Sequence, residues 1–347
     1  MIAPTASVQA ISTANATPIG TPVPLPTAIR TPPVLPGMYI SEYLNPADIP
    51  HTYIEDTCRY LKNKWNPKNA APGTVVMIVM LNDINRGSKP NSPDGITRNQ
   101  FWHMIDEVKE QGFEAINTTQ LADFLERNTY IPLRSILFLQ DGRRNAENFE
   151  THFRSQWEDW GWPVANSWIV QTESVDAVWR ENIALEQEGF VDHQLYSPLQ
   201  RFSNSASEGF LSSELKKYTD VFDERYGKFP IAITWPDEPG GNFPRAARGL
   251  GIRLGFTANA RGPVMFNWIP LADDEDSSRP AYYPEGPFND PLMTLPRYWP
   301  SQVIDALDTV RVIGKDAEAY AEQNQEIELE YYDIVCAPEY GKIPKAP

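Results

Sequence analysis

Hydrophobic positions along the chain switch between two periods. "TVVMIVMLN" (74–82) is a continuous apolar, β-branched run, the pattern of a strand buried on both faces. "TRNQFWHMIDEVKEQG" then repeats at helical spacing, with Phe101, Ile105 and Val108 on one stripe. Thr97 is its predicted cap and Gly112 its stop. The exchange continues: "FEAIN" strand, "TTQLADFLERN" helix, "SILFLQ" strand, "ENFETHFRSQWEDWG" helix, "PVANSWIV" strand, "VDAVWRENIALEQEG" helix, "FVDHQLY" strand. "SSELKKYTDVFDERYG" predicts a helix capped by Ser212 or Ser213, "FPIAITWP" a strand and "NFPRAARGLG" a short helix. "RLGFTAN" and "VMFNWIPL" predict two more strands. Such alternation is the signature of parallel β/α architecture. A closed or nearly closed barrel suits it better than an open nucleotide-binding sheet, because no GxGxxG follows the first strand and no P-loop occurs.

The flanks obey other rules. Residues 1–37 are rich in Pro, Thr and Ala, with no acid and one base, and read as an extended linker or stalk. Residues 38–73 form an N-terminal extension in which "TYIEDTCRYLKNKW" has helical spacing. The barrel is assigned to 74–300 and a helical C-terminal extension to 301–347. After Asp273 the alternation stops, and the turn-rich "DDEDSSRPAYYPEGPFNDPLMTLPRYWP" is expected over the barrel mouth.

Composition narrows the class of partner. The net charge of −16 opposes a nucleic-acid or anionic-membrane surface, since binding phosphates needs fields of Lys and Arg. No run is long and apolar enough to span a membrane, and no signal-peptide pattern opens the chain. The stalk composition points to an extracytoplasmic, secreted or surface-tethered placing. Cys58 and Cys336 fit no zinc or CxxC redox spacing; one long-range disulfide and two buried thiols are both open.

In a β/α barrel the chemistry stands where strands pass into the following loops. Those positions hold Asn82 and Asp83 after the first long strand, Gln140 and Asp141 after "SILFL", Gln194, Tyr196 and Gln200 after "FVDH", and Trp235, Pro236 and Asp237 after "FPIAIT". In their order these pieces resemble the polysaccharide deacetylases, the NodB-homology domain of carbohydrate esterase family four, from about Val75 to Arg297. "VVMIVMLNDI" is similar to the opening strand, "SILFLQDGRRN" to the T-F-D-D-G element and "WGWPVANSWIV" to the G-x-P-A-T-F-F element. "FPIAITWP" is similar to the approach to P-Y-G, and "TLPRY" to a last landmark.

The resemblance implies a distorted (β/α) TIM-like barrel. It also implies a divalent metal, often zinc, held by one Asp and two His, with a second Asp as base, removing acetyl groups from N- or O-acetylated sugars. Carried over, Asp141 matches the metal-binding Asp, and Gln140 stands at the base position. Tyr196 and Gln200 replace the two histidines of H-[ST]-x-x-H, and Asn82 replaces the opening-strand His. An amide cannot take and hold a proton at neutral pH, so the base step is missing.

The expectation is a deacetylase-like domain without the usual metal-dependent reaction and with no cofactor. It would bind a cell-wall or exopolysaccharide glycan, or serve as a structural surface protein. Asn82, Asp83, Tyr196, Gln200, Trp235 and Arg297 are its candidate binding residues, and Arg143, Arg144 and Arg297 would neutralise rim carboxylates. The alternative is an active deacetylase or hydrolase with a rearranged site using Asp141, Asp192 and His193, with zinc if the metal site survives. His193 is three positions from Tyr196 and so is expected on the opposite face of its strand. A third reading is a glycoside hydrolase with two acids about 5 to 10 Å apart across the mouth. His103 and His152 fall in predicted helices. Trp157, Trp160 and Trp162 read as helix-end packing, and "DDEDSS" as a solvated acidic loop.

Overall fold

The computed structural model describes residues 30–344 except 93, 143–144, 171–174, 200–201, 204, 237–238 and 281. Most of the 1–37 stalk, Arg143, Arg144, Gln200 and Asp237 therefore lie outside the described residues or in part outside them. Residues 32–347 make one compact unit.

In chain order the elements are β1 (Ile49–His51), α1 (Thr57–Lys64), β2 (Val75–Leu81), β3 (Ile84–Asn85), β4 (Ile96–Thr97), α2 (Arg98–Glu110), β5 (Glu114–Ala115) and α3 (Thr118–Arg127). Then come β6 (Arg134–Asp141), α4 (Ala146–His152), α5 (Arg154–Trp160), β7 (Val164–Trp168), α6 (Asp176–Glu188), β8 (Val191–Tyr196), α7 (Glu208–Tyr226) and β9 (Ala232–Thr234). The last are α8 (Phe243–Gly249), β10 (Leu254–Phe256), β11 (Ile269–Leu271) and α9 (Val303–Tyr331), followed by a single π turn (Tyr332–Cys336) and α10 (Ala337–Tyr340).

Six strands lie side by side in the order β10-β9-β8-β7-β6-β2, all parallel, and β5 pairs with the start of β6. The sheet curls on itself. The gap between its outer strands is bridged by 295–298: Leu295 N–H donates to the Gly255 carbonyl of β10, and Tyr298 N–H donates to the Ile78 carbonyl of β2. The mouth-covering stretch of the sequence reading thus supplies part of the barrel wall at "LPRY". On the other side Val264 exchanges both backbone hydrogen bonds with Val76 of β2. The α/β barrel expected from the alternation is the fold.

Alternation within each strand divides the core in two. Val76, Ile78, Leu137, Leu139, Ala165, Ala232, Leu254 and Phe256 face inward and pack together. Met77, Val79, Phe138 and Val164 face outward under α2, α5 and α9, and Trp168, Leu195 and Ile233 lie under α6, α7 and α8. The parallel strands carry apolar residues on both faces because both faces are covered.

Local signals fixed several helix starts. Thr97 and Gln100 form a reciprocal capping box at α2, as do Asn117 and Gln120 at α3, an arrangement that satisfies two otherwise orphaned donors. Elsewhere the structure corrects the boundaries. The cap of α7 is Ser207, not Ser212 or Ser213, because the buried stripe begins a turn earlier, at Leu211. The helix expected over 147–161 is two, broken at Phe153, whose φ of −121° leaves the helical range. "VMFNWIPL" is not one strand: the chain turns at Asn267 (φ 56°) and only Ile269–Leu271 pairs, antiparallel with β1. The N-terminal extension accordingly holds a strand as well as a helix.

The two extensions meet. Cys58 of α1 and Cys336 of the π turn form a disulfide, with Cα atoms 5.2 Å apart. Leu61, Tyr332 and Cys336 are buried around it with Tyr60 and Trp65. The two-thiol alternative is thereby excluded.

Candidate functional site

The C-terminal ends of the strands make the mouth. Register places Asp141 beside Ser167 of β7, and Tyr196 beside Thr234 of β9. By alternation all four share the inward face with Asn82, two positions beyond Met80. Ser167 and Thr234 are buried and hydrogen-bond to each other through their hydroxyls.

Asp141 Oδ1 accepts a hydrogen bond from Arg297 Nη1 at 2.6 Å. The Arg297 side chain is only 1% exposed, and its Nε also donates to the Thr257 carbonyl at 2.7 Å. Closure of the barrel by 295–298 is what carries this guanidinium across the interior. Burial pushes the Asp141 carboxyl above the usual aspartate range; Arg297 opposes that shift and Asp94 adds to it. Asp94 lies in the β3–β4 connection and accepts from Asn82 Nδ2. Desolvation alone would raise its carboxyl, but bonds from Ser92 and Asn82 hold it below the ordinary value. Asp83 accepts from Asn91 at 2.7 Å on the same rim.

Gln140 points the other way. It is fully buried on the outward face, donating from Nε2 to the Leu81 and Asn82 carbonyls at 2.7 and 2.9 Å and accepting from Asn148. It ties the end of β6 to the end of β2. Gly142, at φ +64°, turns the chain away immediately afterwards, and a Cβ there would stand 3.0 Å from Ile169. The strand thus ends with Asp141 inward and Gln140 outward.

Other sequence candidates do not converge here. His193 is completely buried on the outward face, as its spacing from Tyr196 predicts. Its Nδ1 lies 3.0 Å from Glu186 Oε2 and its Nε2 3.1 Å from Asn182 Oδ1 of α6, and its ring stacks on Tyr226. Burial holds its pKa below the ordinary histidine value, against the pull of Glu186. Asp192 faces inward, but two residues earlier on β8 than Gln194, which is level with Ser167. That is about 7 Å toward the opposite end. It is engaged there by Thr118 N–H, Lys228 Nζ and Gln194 Nε2, each at 2.8 Å. The rearranged trio Asp141, Asp192 and His193 is therefore not assembled. Trp235 is likewise not at the rim: it is buried on the outward face, donating from Nε1 to the Met293 carbonyl at 2.8 Å. His152 is buried and His103 exposed on their helices.

A divalent metal needs several converging donors. Among the described residues no group of three or more His, Cys, Asp and Glu does so. The one inward carboxylate of the matching position already holds a guanidinium. The described residues do not fit the metal that the resemblance implies.

The sequence reading missed Asp94 and the Ser167–Thr234 pair. Asp94 lay in a turn-like "NSPDG" with no period to read, and the hydroxyls become a pair only across the closed barrel.

No protein-family profile matches the chain, and no curated protein matches it in sequence. Solved structures do match in fold. The Streptococcus pyogenes deacetylase PplD, solved in complex with acetate, aligns at TM-score 0.52 with 15% identity, over 70% of this chain and 99% of its own. IcaB from Ammonifex degensii aligns at TM-score 0.48 and 14% identity, over 69% and 99%. A putative polysaccharide deacetylase, BA0330 from Bacillus anthracis, aligns at 0.47 and 13%, over 68% of each chain. The alignment with PplD shows that the chain shares the fold of that deacetylase.

Proposed function

We propose that this is a deacetylase-fold domain that binds a glycan at the barrel mouth and does not deacetylate it by the metal-dependent route. The observation that carries the reading is the 2.6 Å pair between Asp141 and Arg297. A carboxylate engaged by a buried guanidinium is a poor metal ligand, because the cation must displace an existing charge partner. Gln140 supports it from the other side: an amide turned to backbone carbonyls offers no base to the mouth. What remains at the rim is a set of hydrogen-bonding groups, Asn82, Asp83, Asp94, Asp141 and Tyr196, suited to sugar hydroxyls, with Gln200 as a further candidate.

The reading extends to organisation. Residues 1–37 act as a stalk, 38–73 and 301–347 as extensions of the 74–300 barrel, and the protein works outside the cytoplasm. The Cys58–Cys336 disulfide supports that placing, since such bonds persist in oxidising compartments. No helix among the described residues is long and apolar enough to cross a membrane.

The test is two assays on one preparation. Acetate release from acetylated chitooligosaccharides and acetylated xylan, with zinc, cobalt or no metal added, should stay at background. Binding to the same glycans should be measurable and weakened by Tyr196→Ala. Metal-dependent acetate release abolished by Asp141→Ala would overturn the reading.

A further inference from the structure

At the opposite end of the barrel, the two extensions and the 264–268 turn line a cavity of about 420 Å³ that is partly open to solvent. We propose that this cavity is a second binding site, for an uncharged polyhydroxy ring, that is, a glycosyl unit. It stands apart from the mouth and does not depend on the function proposed there.

Its volume lies within the range of small-molecule sites, about 300 to 1,000 Å³. Six aromatic residues line it: Tyr39, Tyr60, Phe124, Phe266, Trp268 and Tyr320. Tyr60 is stacked on Phe266 and Tyr39 on Trp268, so the rings are held in place by one another. Rigid aromatic faces are good platforms for the apolar face of a ring.

The polar groups of the wall decide between ligand classes. Lys64 donates to both oxygens of Glu328, at 2.8 and 2.7 Å, and Trp65 Nε1 donates to Oε2 at 2.7 Å. Lys64 and Glu328 neutralise each other, so the pair offers a ligand no net charge. Glu55 at the wall adds one negative charge and disfavours an anion. An ammonium has three N–H groups and Lys64 places two of them on Glu328, leaving one. Asn128 is 3% exposed and spends Nδ2 on the Asn63 and Ala70 carbonyls, and its Oδ1 accepts no hydrogen bond among the described residues. Beside its aromatic faces the wall therefore presents an N–H of Lys64 and the Asn128 oxygen. A hydroxyl serves both, as it donates and accepts. A purely apolar occupant would leave the Asn128 oxygen without a partner.

The wall is also built to last. Cys58 and Cys336 hold α1 against the C-terminal π turn, and Tyr320 of α9 donates to the Gly37 carbonyl at 2.8 Å, fastening the N-terminal arm.

The experiment uses the full chain. Methyl glycosides of glucose, galactose, mannose, xylose and N-acetylglucosamine are titrated by calorimetry and by NMR, with glucuronate, glucosamine and laurate as charged and apolar counterparts. At least one neutral glycoside should bind saturably at one site, shift the ring resonances of Tyr60 and Tyr320, and outcompete all three counterparts. Ala321→Phe and Ala317→Leu fill the cavity from successive turns of α9; either should weaken binding at least tenfold without lowering the melting temperature. Asp141→Asn at the mouth should leave the Tyr60 and Tyr320 shifts unchanged. Absence of any neutral binder that moves those rings overturns the proposal. So do tighter binding of laurate or a charged sugar, and binding that survives in a folded filled variant.

Discussion

The two ends of this barrel have been built by different means. The mouth is made of strand ends and short connections, and its central feature is one ion pair, Asp141 with Arg297, brought together from positions 156 residues apart in sequence. The base is made of additions to the barrel: an N-terminal arm, α1, α9 and a disulfide, surrounding an aromatic cavity. At the mouth the inward groups are polar and linked in pairs, Asp141 with Arg297, Asn82 with Asp94 and Ser167 with Thr234. At the base, rings and a neutral charge pair surround space. The barrel wall between them is ordinary apolar packing. A fold that places its chemistry at one end can thus keep its frame while appended segments build a second recessed space at the other.

The comparison is most severely tested at Arg297. Arg297→Leu removes the cation that engages Asp141 among the described residues and the donor to the Thr257 carbonyl at the closing segment. Breaking a buried pair by deleting one partner costs about 3 to 5 kcal/mol. Chemical denaturation should show a loss of that size; a loss within about 0.5 kcal/mol, the scale of ordinary surface substitutions, would mean the pair does not hold the mouth. Next is the base. The double variant Cys58→Ala and Cys336→Ala releases a crosslink spanning 278 residues. A loss of about 3 kcal/mol is expected, together with loss of ligand binding at the cavity but not at the mouth. Equal damage at both ends would erase the distinction drawn between them.

The smallest effect expected is in the pH dependence, where two inward aspartates should act with opposite sign. Burial would raise the Asp192 carboxyl, but Lys228 and the Thr118 bonds outweigh it and hold it below the ordinary 3.8. Its stabilising contribution is therefore complete above that value and is lost as pH falls through the depressed one. Burial raises Asp141 above 3.8 despite Arg297. Its contribution is complete below the ordinary value and is lost as pH rises through the raised one. Urea midpoints measured against pH should show a shallower acid limb for Asp192→Asn than for the parent. For Asp141→Asn the decline on the rising side should disappear. Parallel curves for the two variants would contradict the assignment.

Much of this was legible residue by residue. The exchange of strand and helix periods announced a β/α barrel because each element must bury a stripe or a face of its own. The capping boxes at Thr97 and Asn117 were local and so could be read locally. The position of His193 away from Tyr196 followed from alternation alone. By contrast, Ile49–His51 is a three-residue strand containing a proline, and nothing near it in sequence marks its partner Ile269–Leu271. Trp235 looked like a rim residue because it follows a strand, but parity turns it outward under Met293.

By itself, then, the sequence determined the alternation of the main barrel strands with their helices, and that a Gln stands beside the Asp at the end of β6. Those follow from periodicity and from side-chain chemistry, which need no partner. The tertiary structure alone decided what those residues face. Closure of the sheet by 295–298 set Arg297 on Asp141, and the meeting of the two extensions produced both the disulfide and the cavity. Such contacts join residues far apart along the chain, and their existence depends on the curvature of the sheet, which no local pattern encodes.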